Sequence, residues 1–189
     1  MLRGLIRGRW TARLAVAVMT AVAGVVAMAS PSLASSTIDV PPGNQLFLTV
    51  HGVGQQIYQC AESDGSFSWT LLRPAAVLFK ANGSVFGVHT YTAYQGQNVP
   101  TWAALDGSWV QGEKIASEAS PNGPTNIPWL LVQAVAHGSV TGSLTPTTYV
   151  QRTDTVGGAA PSSSCGQSNE GAVQGSNYSA EYSFYEAST

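Results

Sequence analysis

The final stretch of the chain carries the clearest pattern: Tyr178, Ala180, Tyr182 and Phe184 alternate with Ser179, Glu181 and Ser183. A period of two predicts a strand with one buried face. Upstream, short apolar runs recur between turn residues, and each predicts a further strand. These runs are residues 46–50 and 56–60, parted by a turn region at Gly52 and Gly54, then 67–72, and 75–80 opened by Pro74. Residues 84–91, 101–105, 108–115 and 147–153 complete the set. Asn82-Gly83 and Asp106-Gly107 are the dipeptides that tight hairpins favour, because glycine accepts the positive φ such turns need. Residues 127–137 admit two readings. Asn126 as a cap, Pro128 in a first turn and Gly138 as a terminator suit a helix. Trp129-Leu130-Leu131-Val132 has no polar face, as in a strand buried on both sides, and we favour the strand. The whole pattern predicts an all-β fold, a single antiparallel β-barrel or sandwich-like domain.

The first 34 residues follow another logic. Arg3, Arg7, Arg9 and Arg13 precede an apolar stretch from Leu14 to Ala29, and Ser32-Leu33-Ala34 offers small residues where a signal peptidase cuts. The apolar stretch is shorter than the roughly 18–20 residues of a spanning helix. The expected organisation is therefore a signal peptide over 1–34 and a secreted domain over 35–189, with no membrane insertion after cleavage.

Removal of that segment changes the charge. Four cations (Arg73, Lys80, Lys114 and Arg152) then face ten carboxylates, a formal −6. So acidic a domain is a poor match for a phosphate backbone, and nucleic acid is not expected as a partner. Few Lys and Glu with many Ser, Thr and Gly also disfavour long surface helices. Export makes a Cys60–Cys165 disulfide the expected state of the two cysteines. Neither cysteine has a histidine near it in sequence, and no metal site is expected.

Candidate chemistry is sparse. Gly52-Val53-Gly54 lacks the third glycine of a dinucleotide loop, no Gly-Lys-Ser/Thr occurs, and no cofactor is expected. His89 shares a strand face with Gly87 and Tyr91, where a small neighbour can leave room for a ligand. Asp106 reads first as a turn former. A sharper reading couples it to His89 as an acid/base pair, with Ser108 as nucleophile or ligand contact and Arg152 as an anion holder. Arg152 can equally pair with Asp154, Glu181 or Glu186. Most tryptophans of such a domain belong in its core; Trp102, beside the polar residues 95–98, is the one expected to meet a ligand, with Tyr91 and Ser108. Two functions are in view. One is a non-catalytic extracellular binding module for a saccharide, envelope component or small apolar ligand. The other is a small hydrolase or isomerase using His89, Asp106 and Arg152, and a purely structural envelope protein is the blander alternative.

Several ordered pieces resemble the DUF3455 family of uncharacterised secreted proteins of bacteria and fungi. They include Gln56-Ile57-Tyr58-Gln59-Cys60, Gly87-Val88-His89, Pro100-Thr101-Trp102, Asp106-Gly107-Ser108 and Ile127-Pro128-Trp129-Leu130-Leu131. Gln151-Arg152-Thr153, Thr155-Val156-Gly157-Gly158, Cys165 and the segment 178–185 continue the series. The resemblance implies export and one compact domain, and it supplies no reaction. Where the family pattern often has an acidic residue after the tryptophan of Pro-Thr-Trp, this chain has Ala103.

Overall fold

A computed structural model describes residues 36–138 and 141–189; the expected signal segment lies outside them. Eight strands form one closed barrel. They are β1 (Asn44–Ser63), β2 (Ser66–Phe79), β3 (Val85–Tyr94), β4 (Gln97–Ala104), β5 (Trp109–Glu118), β6 (Trp129–His137), β7 (Tyr149–Gly157) and β8 (Val173–Ala187). Each pairs antiparallel with its sequence neighbour, and β8 closes the barrel on β1. Of the two architectures expected, the barrel is the one formed.

The turn chemistry explains the connections. Asp64-Gly65 and Gln95-Gly96 both have positive φ, which gives the two-residue turns between β1 and β2 and between β3 and β4. These turns share the upper end of the barrel with the β5–β6 and β7–β8 connections. The β2–β3, β4–β5 and β6–β7 connections form the lower end. Residues 127–137 are extended, with β6 paired along both sides to β5 and β7.

Two expected breaks are not breaks. Gly52 and Gly54 lie inside β1, which runs unbroken for 20 residues. A Cβ at Gly52 would sit 2.6 Å from Cε2 of Tyr182, and one at Gly54 would sit 2.1 Å from the Ala75 carbonyl oxygen. These glycines make room for a core ring and a neighbouring backbone, not for a turn. Pro74 likewise lies within β2, beside the bulge between Ile57 and Tyr58. Its missing N–H shows on the other side: the β2–β3 ladder runs from Phe79 only as far as Ala76 paired with His89. Above that point β2 and β3 part.

Alternation along the strands sends Val50, Leu78, Trp102, Val110, Val132, Val150, Tyr182 and Phe184 into a continuous core. The same alternation turns Thr49, His51, Gln55, Ser179, Glu181 and Ser183 outward. Cys60 and Cys165 form a disulfide across 105 residues of sequence, tying the upper part of β1 to the β7–β8 loop. Trp69 donates to the Ser163 carbonyl at 2.8 Å and holds the same loop from β2.

Candidate functional site

Toward the upper end the core holds a group of large polar side chains. There Gln56 of β1, His89 of β3, Trp102 of β4, Arg152 of β7 and Tyr182 of β8 surround a cavity of about 20 Å³. A single water needs roughly 10–15 Å³, so the space suits a head group of two or three atoms. Pro74 of β2, Tyr91 of β3, Pro100 of β4 and Leu130 of β6 also line it.

Gln56 is only 1 % exposed, and its Nε2 has no hydrogen-bond partner. Trp102 is 2 % exposed, and its Nε1 is equally unpartnered. A buried donor without an acceptor costs about 1–3 kcal/mol; of the three such nitrogens among the described residues, two belong to residues lining this cavity and the third is Trp129 Nε1. Trp102, expected beside the polar residues 95–98, is a core residue at the cavity wall. Trp102 lies inside because it pairs inward with His89 and Val110. The polar hairpin tip at Gln95-Gly96 lies well up the strand, at about 3.3 Å per residue.

His89 is 3 % exposed. Its Nδ1 donates to the Thr101 carbonyl at 3.0 Å, which leaves Nε2 as a lone-pair acceptor. Burial pushes its pKa down to about 3, the Thr101 carbonyl opposes this, and Arg152 adds to it. The imidazole is therefore neutral at physiological pH. Gly87 leaves no space beside it, since a Cβ there would meet the Ala103 carbonyl oxygen at 2.0 Å.

Arg152 donates through Nε and Nη2 to the Pro128 carbonyl, at 3.2 and 2.7 Å. Its expected carboxylate partners are engaged elsewhere. Glu181 pairs with His51 at 2.6 Å, Glu186 accepts from Gln45, and Asp154 accepts from Thr153. The phenols of Tyr58, Tyr91, Tyr178 and Tyr182 are raised by burial, and the guanidinium counters that rise in each. Tyr178 and Tyr182 hold their hydroxyls 3.0 Å apart, and Tyr58 donates to the Gly158 carbonyl at 2.7 Å. Gly157 and Gly158, both at positive φ, fold over this end: a Cβ at Gly158 would lie 2.8 Å from Tyr178 and 3.2 Å from Gln56.

Asp106 is at the other end of the barrel, in the β4–β5 turn. It accepts from the Ser108 hydroxyl at 2.6 Å and from the Ser143 amide and hydroxyl at 2.8 and 2.7 Å. Those bonds hold its carboxyl well below the usual range. Ser108, 1 % exposed, in turn accepts from the Leu144 amide. Asp106 and Ser108 thus staple the β6–β7 loop to the lower end. His89 and Arg152 are brought together; Asp106 and Ser108 are not part of their cavity. Tyr91 lines it as a half-buried wall residue.

Gln56, Tyr178 and Tyr182 were missed as site residues. A signal existed: counting by two from Val50 through Gly52 and Gly54 puts Gln56 on the inward face. The assumed turn at Gly52 and Gly54 hid that count.

Fold and site together define a small up-and-down β-barrel whose interior holds a partly buried cation among tyrosines and unpartnered donors. The chain belongs to the family described as protein of unknown function (DUF3455), whose model matches residues 41–186. No curated protein and no solved structure matches it.

Proposed function

We propose that the domain is an exported, non-catalytic binding module that takes part of a small ligand into the upper end of its barrel. The observation that carries this reading is that Gln56 and Trp102, which line one cavity with Arg152, each hold a buried nitrogen without a hydrogen-bond partner. Native interiors pair their polar groups, and a pocket with a few convergent polar groups is how small ligands are oriented.

The same geometry argues against acid/base catalysis. A general base works within hydrogen-bond reach of its partner; the Nδ1 proton of His89 is spent on Thr101, and Asp106 belongs to the lower end. Export is supported by the N-terminal pattern and by the disulfide.

The test is a thermal-shift screen of the oxidised domain against sugars, cell-wall fragments, fatty acids and divalent metals, with Gln56→Leu and Trp102→Phe alongside. A ligand specific to the folded state, at a hundredfold excess over its Kd, adds about 2.7 kcal/mol. A shift in the wild type that both variants lose supports the reading. No shift from any compound, with both variants folded, leaves a purely structural barrel.

A further inference from the structure

The charge balance of the cavity narrows the ligand. Arg152 brings one full positive charge, and it acts on the phenols of four surrounding tyrosines and on His89 with no carboxylate acting beside it. Its acceptors in the wall are both neutral: the Pro128 carbonyl, which occupies the Nε edge, and the Tyr182 hydroxyl. A guanidinium has five N–H donors, so two carbonyl-directed bonds and a contact with Tyr182 leave donors over. Gln56 Nε2 and Trp102 Nε1 add two more donors with no acceptor. The site therefore lacks one thing: a compact acceptor carrying a single negative charge.

Size and charge choose among anions. A cavity of about 20 Å³ admits a planar head group and not a whole ligand. A phosphate dianion would leave one buried charge unmatched, and buried unpaired charge is strongly unfavourable. A sugar hydroxyl would leave the guanidinium as uncompensated as it is now. The face a sugar would stack on is also taken, because His89 lies against Trp102 with ring centroids 4.6 Å apart. A carboxylate matches the guanidinium in charge and in planar two-oxygen geometry. Pro74, Pro100 and Leu130 line the remaining wall and are apolar.

We propose that the upper-end cavity is a carboxylate subsite: Arg152 holds the head group of a monocarboxylate, Gln56 and Trp102 donate to it, and an apolar remainder lies against Pro74, Pro100 and Leu130. The proposal rests on the binding-module reading above and adds the chemical class of the ligand. It assigns Arg152 the role of charge partner, and it makes Gln56 the residue whose neutrality keeps the site open.

The experiment compares matched pairs by titration calorimetry and thermal shift on the oxidised domain. Butyrate and benzoate are run against butyramide and benzamide, with sodium chloride at equal ionic strength as control. Arg152→Gln and Gln56→Glu are measured in parallel, with near-ultraviolet circular dichroism to check the fold. Gln56→Glu changes one atom of the side chain and supplies the missing carboxylate from within, so a folded variant that no longer binds isolates charge from structure. The acids bind the wild type, the amides do not, and Arg152→Gln weakens the acids by about tenfold to a hundredfold, as expected for hydrogen bonds to a charged group. Amides binding as well as acids, or acids binding Gln56→Glu unchanged, overturns the carboxylate assignment and leaves the binding-module reading standing. No binding by either series overturns the assignment; if the wider screen is also silent, the binding-module reading falls with it.

Discussion

The imidazole of His89 lies flat on the indole of Trp102, with 4.6 Å between ring centroids and 11° between planes. Tyr182 meets both rings, at 5.1 Å from His89 and 5.8 Å from Trp102. A histidine held this way is a neutral packing group with one committed proton, and this sets the domain's response to acid.

His89 titrates near the ordinary histidine value when unfolded and at about 3 when folded. Between those values the unfolded chain binds more protons, so unfolding free energy rises with pH across the window and falls as acid is added. The loss from this one group approaches about 1.4 kcal/mol per pH unit. Asp106 adds its own loss only lower, once pH reaches the carboxylate range, because its folded value is depressed. Urea unfolding from pH 7 down to 4 should show the slope in the wild type and lose most of it in His89→Phe. An unchanged slope in that variant sinks the assignment.

Gly52 and Gly87 are predicted to respond differently to alanine. At Gly52 the added carbon meets the edge of the Tyr182 ring, which can shift, and overpacking of this kind costs about 1–3 kcal/mol. At Gly87 it meets the Ala103 carbonyl oxygen, which belongs to the β3–β4 ladder. Gly87→Ala should therefore be the more destabilising of the two by chemical denaturation. Gly52→Ala should alter the near-ultraviolet signal of the aromatic cluster.

Loss of the Cys60–Cys165 disulfide frees a loop spanning 105 residues. The chain-entropy model gives a cost of about 4–5 kcal/mol for a loop of that length. Cys60→Ala combined with Cys165→Ala should lower the urea midpoint accordingly. A midpoint unchanged from the oxidised wild type contradicts the model.

Asp106→Asn should leave ligand binding at the upper end untouched, since its bonds run to Ser108 and Ser143. The expected signature is faster amide exchange at Ser143 and Leu144. A change in carboxylate affinity would show that the two ends communicate.

Much of this fold was legible in the sequence because alternation survives intact in β8 and turn dipeptides mark the hairpins. The disulfide and the extended state of residues 127–137 were legible too. What escaped depends on the third dimension. A glycine that leaves room for Tyr182 and a glycine that makes a turn look alike in one dimension, and so Gly52 and Gly54 predict a break that β1 does not have. Trp102 lies next to polar residues in sequence, yet strand geometry carries it inward. Arg152 and Gln56 are 96 positions apart in the chain and meet only because β7 and β1 both adjoin β8.

That closure has a kinetic consequence. Of the eight strand pairings in the barrel, seven join chain neighbours and one, β1 with β8, spans nearly the whole domain. Neighbouring hairpins close short loops and can form early, whereas the β1–β8 seam requires the ends of the sheet to find each other across a long loop. The seam is therefore the step expected to set the folding rate, and the cavity, whose Gln56 and Tyr182 lie on its two sides, is the last part of the molecule to become complete.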